Sequence, residues 1–425
     1  GPGACPIDCA DTDACTSDRV EGTACQSSCA HEAITLCTSG DGCCPAGCDR
    51  RDFDCVTCDA HVPGDYATIG AAIAAATAPS TICIAAGRYV ENLMLRPHVH
   101  LQGVGPATIV AGHVSVRNLI DPDPTPTELR DLRIEYDGAE AIHVCATAPQ
   151  CPERLVLGTS ALALALRRVE LRGDSTGTTY CAEIDLLGGT FRLVVEDSVC
   201  ASERGFRVVG AVPPTAPIDH EITIERTRFE PGAVSTWTYA SVEALYWAEG
   251  GACGGATAPA GTHARVLVRN NEFLRSHYDS IYLTQCLALS PADAAASGIE
   301  ITHNTFVVDS GVAGDLAYSI WNNTGSDGFG PRLSVYNNLY YRSNANPIRG
   351  LAPDDLAGDL RVTVDPFLDE PAGDLRLAPG SPAIDRADPA HVPTDLTGAP
   401  RPVDGDGDGT AVGDVGAHEH VPGPG

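Results

Sequence analysis

The 425 residues carry 56 acidic against 27 basic side chains, a net charge of −29, and every basic residue is an arginine. A polyanion of this size repels nucleic acid and anionic membrane surfaces, and no apolar run is long enough to span a bilayer. The absence of lysine also removes a lysine general base, Schiff-base chemistry and a P-loop from consideration.

The first element in chain order is a cysteine-rich stretch. Eleven of the 18 cysteines fall before residue 60, and the even total points to an oxidising compartment. With no initiator Met, the expectation is a mature secreted or surface chain after signal-peptide removal. Residues 1–57 show almost no aliphatic periodicity, so disulfides replace a core there. The first ten cysteines are expected to close five bridges among themselves. Cys58 is paired with Cys83 across a short helical segment. The remaining local pairs are Cys145–Cys151, Cys181–Cys200 and Cys253–Cys286. Zinc is the weaker alternative, because paired CxxC knuckles are missing and His31 is the only nearby imidazole.

Residues 58–350 form the second unit. Ile69 and Ile73 with Ala72 and Ala76 predict a small amphipathic helix over 68–77, followed by the β runs ICIAA and YVENLML. Then one six-residue pattern recurs seven times, as LRDLRI (129), LRRVEL (166), VEDSVC (195), IERTRF (224), VRNNEF (268), ITHNTF (301) and VYNNLY (335). Position one is always aliphatic and position six apolar or aromatic. A short motif at intervals of 29 to 44 residues marks stacked units that bury their apolar faces only against their neighbours. Because it alternates like a strand, the prediction is an all-β solenoid. Asn270, Asn271, Asn304, Asn337 and Asn338 read as corner residues whose amides stack along the ladder. Phe229, Phe273, Phe306 and Tyr340 read as a core file.

A second short strand follows each copy: AIHV, AEIDL, GFRVV, EALYW, SIYL, SIWN and NPIRG. Alternation predicts an outward column of His143, Asp185, Arg207, Tyr246, Tyr282, Trp321 and Arg349. Trp247, Glu243, Glu249, His277, Asp279 and Asn322 lie around it. Aromatic rings with polar neighbours suit sugars, which offer C–H faces and hydroxyls, so Tyr246, Trp247, Tyr282, Trp321, His277 and Asn322 are the glycan-binding candidates. Asp185, Glu243 and Asp279 are candidate catalytic carboxylates, and with Lys excluded an Arg base such as Arg207 stays open. Loops at 251–264 and 290–298 interrupt the repeats.

Residues 351–425 form the last unit. In DGDGDGTAVGD, Asp404, Asp406 and Asp408 alternate with glycines and precede Asp414, a spacing able to wrap calcium. Against an EF-type loop, the twelfth position is Val415 and not a carboxylate. No organic cofactor is expected.

Three resemblances add to this reading. The stretch SGDGCCPAGCDRRDFDC resembles small cysteine-rich modules in secreted proteins of myxobacteria and related bacteria. The run Gly87, Arg88, Tyr89, Val90, Glu91 matches the G-x-Y-x-E step of the pectin-lyase-like superfamily. That likeness implies a right-handed parallel β-helix whose first coil is plugged by a helix, with a polysaccharide groove on the outer face. The tail, with "DP-F", "GD-RL-PGSPAID", "DL-G-PR" and "D-GA-E", resembles the C-terminal segment of choice-of-anchor Q proteins, which implies a closing cap and a surface location but no reaction. The chain departs from the best-known enzymes of the superfamily: the DFIFG, NTD, DD, RIK and WiDH steps are missing. The expectation is therefore a non-catalytic extracellular factor that binds polysaccharide or assembles with copies of itself. The alternative is a polysaccharide lyase or glycoside hydrolase.

Overall fold

The structure is a computed structural model. It describes residues 9, 11, 13–22, 28–36, 43–46, 48, 55–116, 125–137, 140–144, 161–173, 180–186, 189–210, 217–232, 238, 241–246, 257–277, 279–285, 288–309, 311, 318–323, 330–350, 352–388 and 392–422.

Strands dominate, and the predicted alternation becomes parallel sheets. Each turn of chain lays one strand on each of three sides, and each strand pairs with its counterpart one turn later. The third side is a nine-stranded sheet running in order from Ile348–Gly350 back to Leu93–Met94. Leu129, Leu166, Val195, Ile224, Val268, Ile301 and Val335, position one of the motif, form one fully buried row. Position six supplies a second row. Within it Phe229, Phe273, Phe306 and Tyr340 stack with centroids 4.8, 4.7 and 5.2 Å apart. The spacing of neighbouring strands imposes this face-to-face stack, and burial of large aromatic surface outweighs its imperfect quadrupole geometry.

Position three is the corner. Asp131, Arg168, Asp197, Arg226, Asn270, His303 and Asn337 all have positive φ between 48° and 54°, a left-handed bend that carries the chain from the first side to the second. Outside glycine this costs about 1 kcal/mol or more per residue, and contacts between turns offset it. Arg168 grips Asp131 with two bonds of 2.6 and 2.7 Å, and Arg226 grips Asp197 with bonds of 2.6 and 3.2 Å. Position four is the ladder. Each Oδ1 of Asn304 and Asn338 accepts the backbone N–H and the side-chain N–H of the asparagine one turn earlier, at 2.9–3.0 Å. The asparagines thus divide their labour, with Asn270 and Asn337 bending the chain while Asn271, Asn304 and Asn338 link the turns. In earlier turns Ser198 and Asn271 accept from Val169 and Thr227 in the same way.

An eighth copy of the motif, Leu356–Arg361, closes the series. Gly358 holds the left-handed corner at φ 70°, where a Cβ would meet Asn337 Oδ1 at 1.9 Å. Asp359 takes the ladder position, accepting from Asn338 N and Nδ2 at 2.9 and 3.1 Å and from Tyr340 Oη at 2.7 Å. The sequence pattern is hidden here because Gly, Asp and Arg replace the usual residue types.

At the N-terminal end, α1 (Ile69–Ala75) turns Ile69, Ala72 and Ile73 into the core. Thr68 caps it, Glu91 accepts from the amides of Ile69 and Gly70 at 2.9 Å, and Arg96 donates to the carbonyls of Ile73, Ala74 and Ala76. Both ends of the plug are therefore clamped by side chains of the next turn. Cys58–Cys83 ties the plug segment to its neighbour, and Cys181–Cys200 links two sides of the stack. In the first unit an antiparallel hairpin, Thr16–Glu21 with Ser28–Ala33, is tied to its surroundings by Cys9–Cys29 and Cys15–Cys43, and Cys44–Cys55 closes the segment after it. The expected pairs Cys145–Cys151 and Cys253–Cys286 lie outside the described residues. The region 290–298, read as a loop, contains α2 (Pro291–Ala296), capped by Ser290.

The tail departs from the expected closing cap. Phe367, Leu375, Leu377, Ile384 and Val415 pack on Leu274, Val307 and Tyr341, an apolar row on the outside of the second side. Further bonds run back along the stack, from Arg228 to Gly373 O, from Asn270 to Thr394 O and from Ala417 N to Thr305 Oγ1. The tail is a flank strap. The reason is apolar area: the flank offers a continuous row to bury, which Val362 of the last turn extends in register with Tyr341.

Candidate functional site

The third side carries one row of positions, those of His143, Glu183, Arg207, Glu243, Tyr282, Trp321 and Arg349, paired in register from one turn to the next; Glu183, Arg207, Tyr282, Trp321 and Arg349 are half-exposed and Glu243 is buried. Six strand spacings make it about 29 Å long. Glu183 and Glu243 stand where Asp185 and Tyr246 were expected. Asp185 pairs with Val209, two positions along, and Tyr246 pairs with Gly210 and Gln285, three positions from Glu243. Alternation identifies the faces of one strand but not its offset from the next, which loop length sets. Asn322 is in register with Leu283 and is 2% exposed, so it lies on the core side of its strand and not in the outward row. His277 is half-buried beside the row, its backbone N–H donating to Thr238 O at 2.8 Å. Trp247 and Glu249 lie outside the described residues.

Two ionic clusters punctuate the row. Arg204 donates to Glu243 at 3.1 Å and to Tyr180 Oη at 3.0 Å. Arg207 pairs with Glu183 and lies 3.6 Å from Glu243. Burial raises the Glu243 carboxyl above its ordinary range despite the opposing pull of Arg204 and Arg207, and burial likewise raises the Tyr180 phenol. In the second cluster Arg349 bonds Asp279 at 2.5 Å while its guanidinium sits 4.0 Å from the Trp321 ring centre. Trp321 stacks at 4.3 Å, tilted, on Tyr282. Burial raises the Asp279 carboxyl, opposed by Arg349. Tyr180, Glu183 and Arg204 carry no distinguishing signal in the sequence, since AEIDL offers Glu183 and Asp185 with equal claim.

The acidic turn also assembles differently from its spacing. Asp404 and Asp406 join Asp385, with one carboxylate oxygen of each within 4.8 Å of the others. Asp408 stands apart from them, accepting from Thr410 N at 2.8 Å. Asp414 is turned inward, accepting from the backbone N–H groups of Asp385 and His420. Its carboxyl is pushed up to about 7 by burial. Three hard carboxylates at this spacing fit a hard cation. They also accept turn amides, Asp404 from Gly407 and Gly409 and Asp385 from Gly405 and Asp406, which gives the turn internal support.

Among the described residues no helix is long and apolar enough to cross a membrane, and the disulfides indicate an oxidising environment. No protein-family model, curated protein or solved structure matches the chain.

Proposed function

We propose that this chain is a secreted right-handed parallel β-helix that binds an extended extracellular polysaccharide along its third side without cleaving it. The observation that carries this reading is the in-register row ending in Glu243, Tyr282, Trp321 and Arg349. It offers the half-exposed Tyr282 and Trp321 side chains for apolar contact with sugar C–H groups and, alongside, the half-exposed Arg207, Arg349 and Glu183 for hydroxyls, over a length suited to a linear chain. The net charge of −29 favours a neutral glycan over an acidic one. Glu243, Asp279 and Arg207 are each engaged in ion pairs, which suits orientation of a ligand more than proton transfer.

The test is affinity electrophoresis and calorimetry against a panel of neutral and acidic polysaccharides. Binding of a neutral chain, lost in Trp321→Ala and kept in Arg332→Ala on another side, supports the reading; no binding to any member overturns it. A second reading rests on the raised carboxyls of Glu243 and Asp279, the property a general acid needs. New reducing or unsaturated ends, abolished by Asp279→Ala and Glu243→Gln, would replace binding with lysis or hydrolysis. We further propose that Asp385, Asp404 and Asp406 bind calcium, which would brace the strap.

A further inference from the structure

The last turn of the stack is open. Ile348–Gly350, Asp355–Ala357 and Leu360–Val362 each take a partner from the preceding turn, and among the described residues no strand pairs with their outer edges. The buried row that runs from Leu129 to Val335 ends at Leu356, which is in register with Val335 yet 58% exposed. The aromatic file ends at Arg361, in register with Tyr340 and exposed, with Nε donating to Ser343 O at 2.9 Å. Val364 and Leu368, just beyond, are exposed as well. The segment that follows lies on the flank, where it packs with Val362 and Leu360 of this turn, while Leu356 stays exposed. The opposite end differs, because α1 fills the core there.

An unpaired strand edge is a template for another strand. An extended peptide can satisfy one of the three edges and leaves Leu356 in water. Another terminal turn of this chain has the same three-sided outline, three edges with the same spacing and an apolar residue at the same place. Arg361 and Asp354 are both exposed on this end, so a two-fold arrangement can set unlike charges against each other. We infer that two copies of the chain join tail to tail through the turn 348–362, in an isologous contact. The helical plug at the far end stops growth at two, so the product is a closed dimer and not a fibre.

Sedimentation of the full chain across the micromolar range tests this independently of any glycan. The expected result is a reversible species of twice the 44.2 kDa chain mass. Leu356→Arg abolishes it, while Met94→Arg, exposed at the opposite end, leaves it intact. Thermal unfolding of Leu356→Arg, measured at a concentration where the wild type is monomeric, should match the wild type, since that side chain is already largely in water. If it does not, Arg361→Glu reads the same contact by charge reversal. A wild type that stays monomeric throughout, a dimer indifferent to both variants, or growth beyond two copies overturns the inference.

Discussion

Asp359→Asn is the substitution in which ladder geometry and electrostatics make the sharpest joint demand. Asp359 ends the asparagine ladder, and burial pushes its carboxyl up from 3.8 to about 6. The folded state thus holds a proton that the unfolded chain has released. The stabilisation is fully present below about pH 4 and is lost as pH rises through about 6. At about pH 7.5 the shift corresponds to roughly 3 kcal/mol of lost stability. An asparagine there keeps the Oδ1 acceptor for Asn338 N and Nδ2, and its Nδ2 can donate to Tyr340 Oη, which accepts as readily as it donates. The variant should therefore match the wild type at about pH 4 and exceed it by up to about 3 kcal/mol at about pH 7.5. Asp414, at about 7, continues to titrate in both proteins, so the difference between the two carries the information. Urea and thermal unfolding followed by circular dichroism at both pH values provides it. Equal pH slopes, or a variant weaker at the higher pH, refute the reasoning.

Asn304→Ala removes two donors and an acceptor of two bonds from a fully buried site and should cost about 2–4 kcal/mol, measured by denaturant unfolding. Replacing both Cys58 and Cys83 with Ser opens a bridge spanning 25 residues and should cost about 3 kcal/mol by loop entropy, with early proteolysis near α1 as the readout; unchanged proteolysis counts against a pinned plug. Calcium should raise the unfolding temperature saturably and Asp406→Asn should remove the response, whereas indifference to calcium and chelator alike removes the ion from the turn.

The fold was legible because strand alternation is local. Leu129 and Ile134, or Val268 and Phe273, declare their core positions within six residues, and the repeat tells the reader that the same geometry recurs. The plug was legible for the same reason, though the clamps from Glu91 and Arg96 were not, since they depend on a neighbouring turn. The corner was half legible: asparagine at positions three and four suggested a bend, but Arg168 and Arg226 make the same bend with a residue that propensity would not choose.

What the sequence by itself determined was the stack of β turns, the buried rows, the oxidising chemistry and the side of the stack that carries aromatics. Tertiary structure decided whatever depends on offset between turns, because the length and course of the intervening loops are not encoded in the six-residue pattern. It replaced Asp185 and Tyr246 with Glu183 and Glu243 in the outward row and turned Asn322 inward. It set Asp385 beside Asp404 and Asp406, sent the tail along the flank, and left Leu356 exposed at the end of a core row.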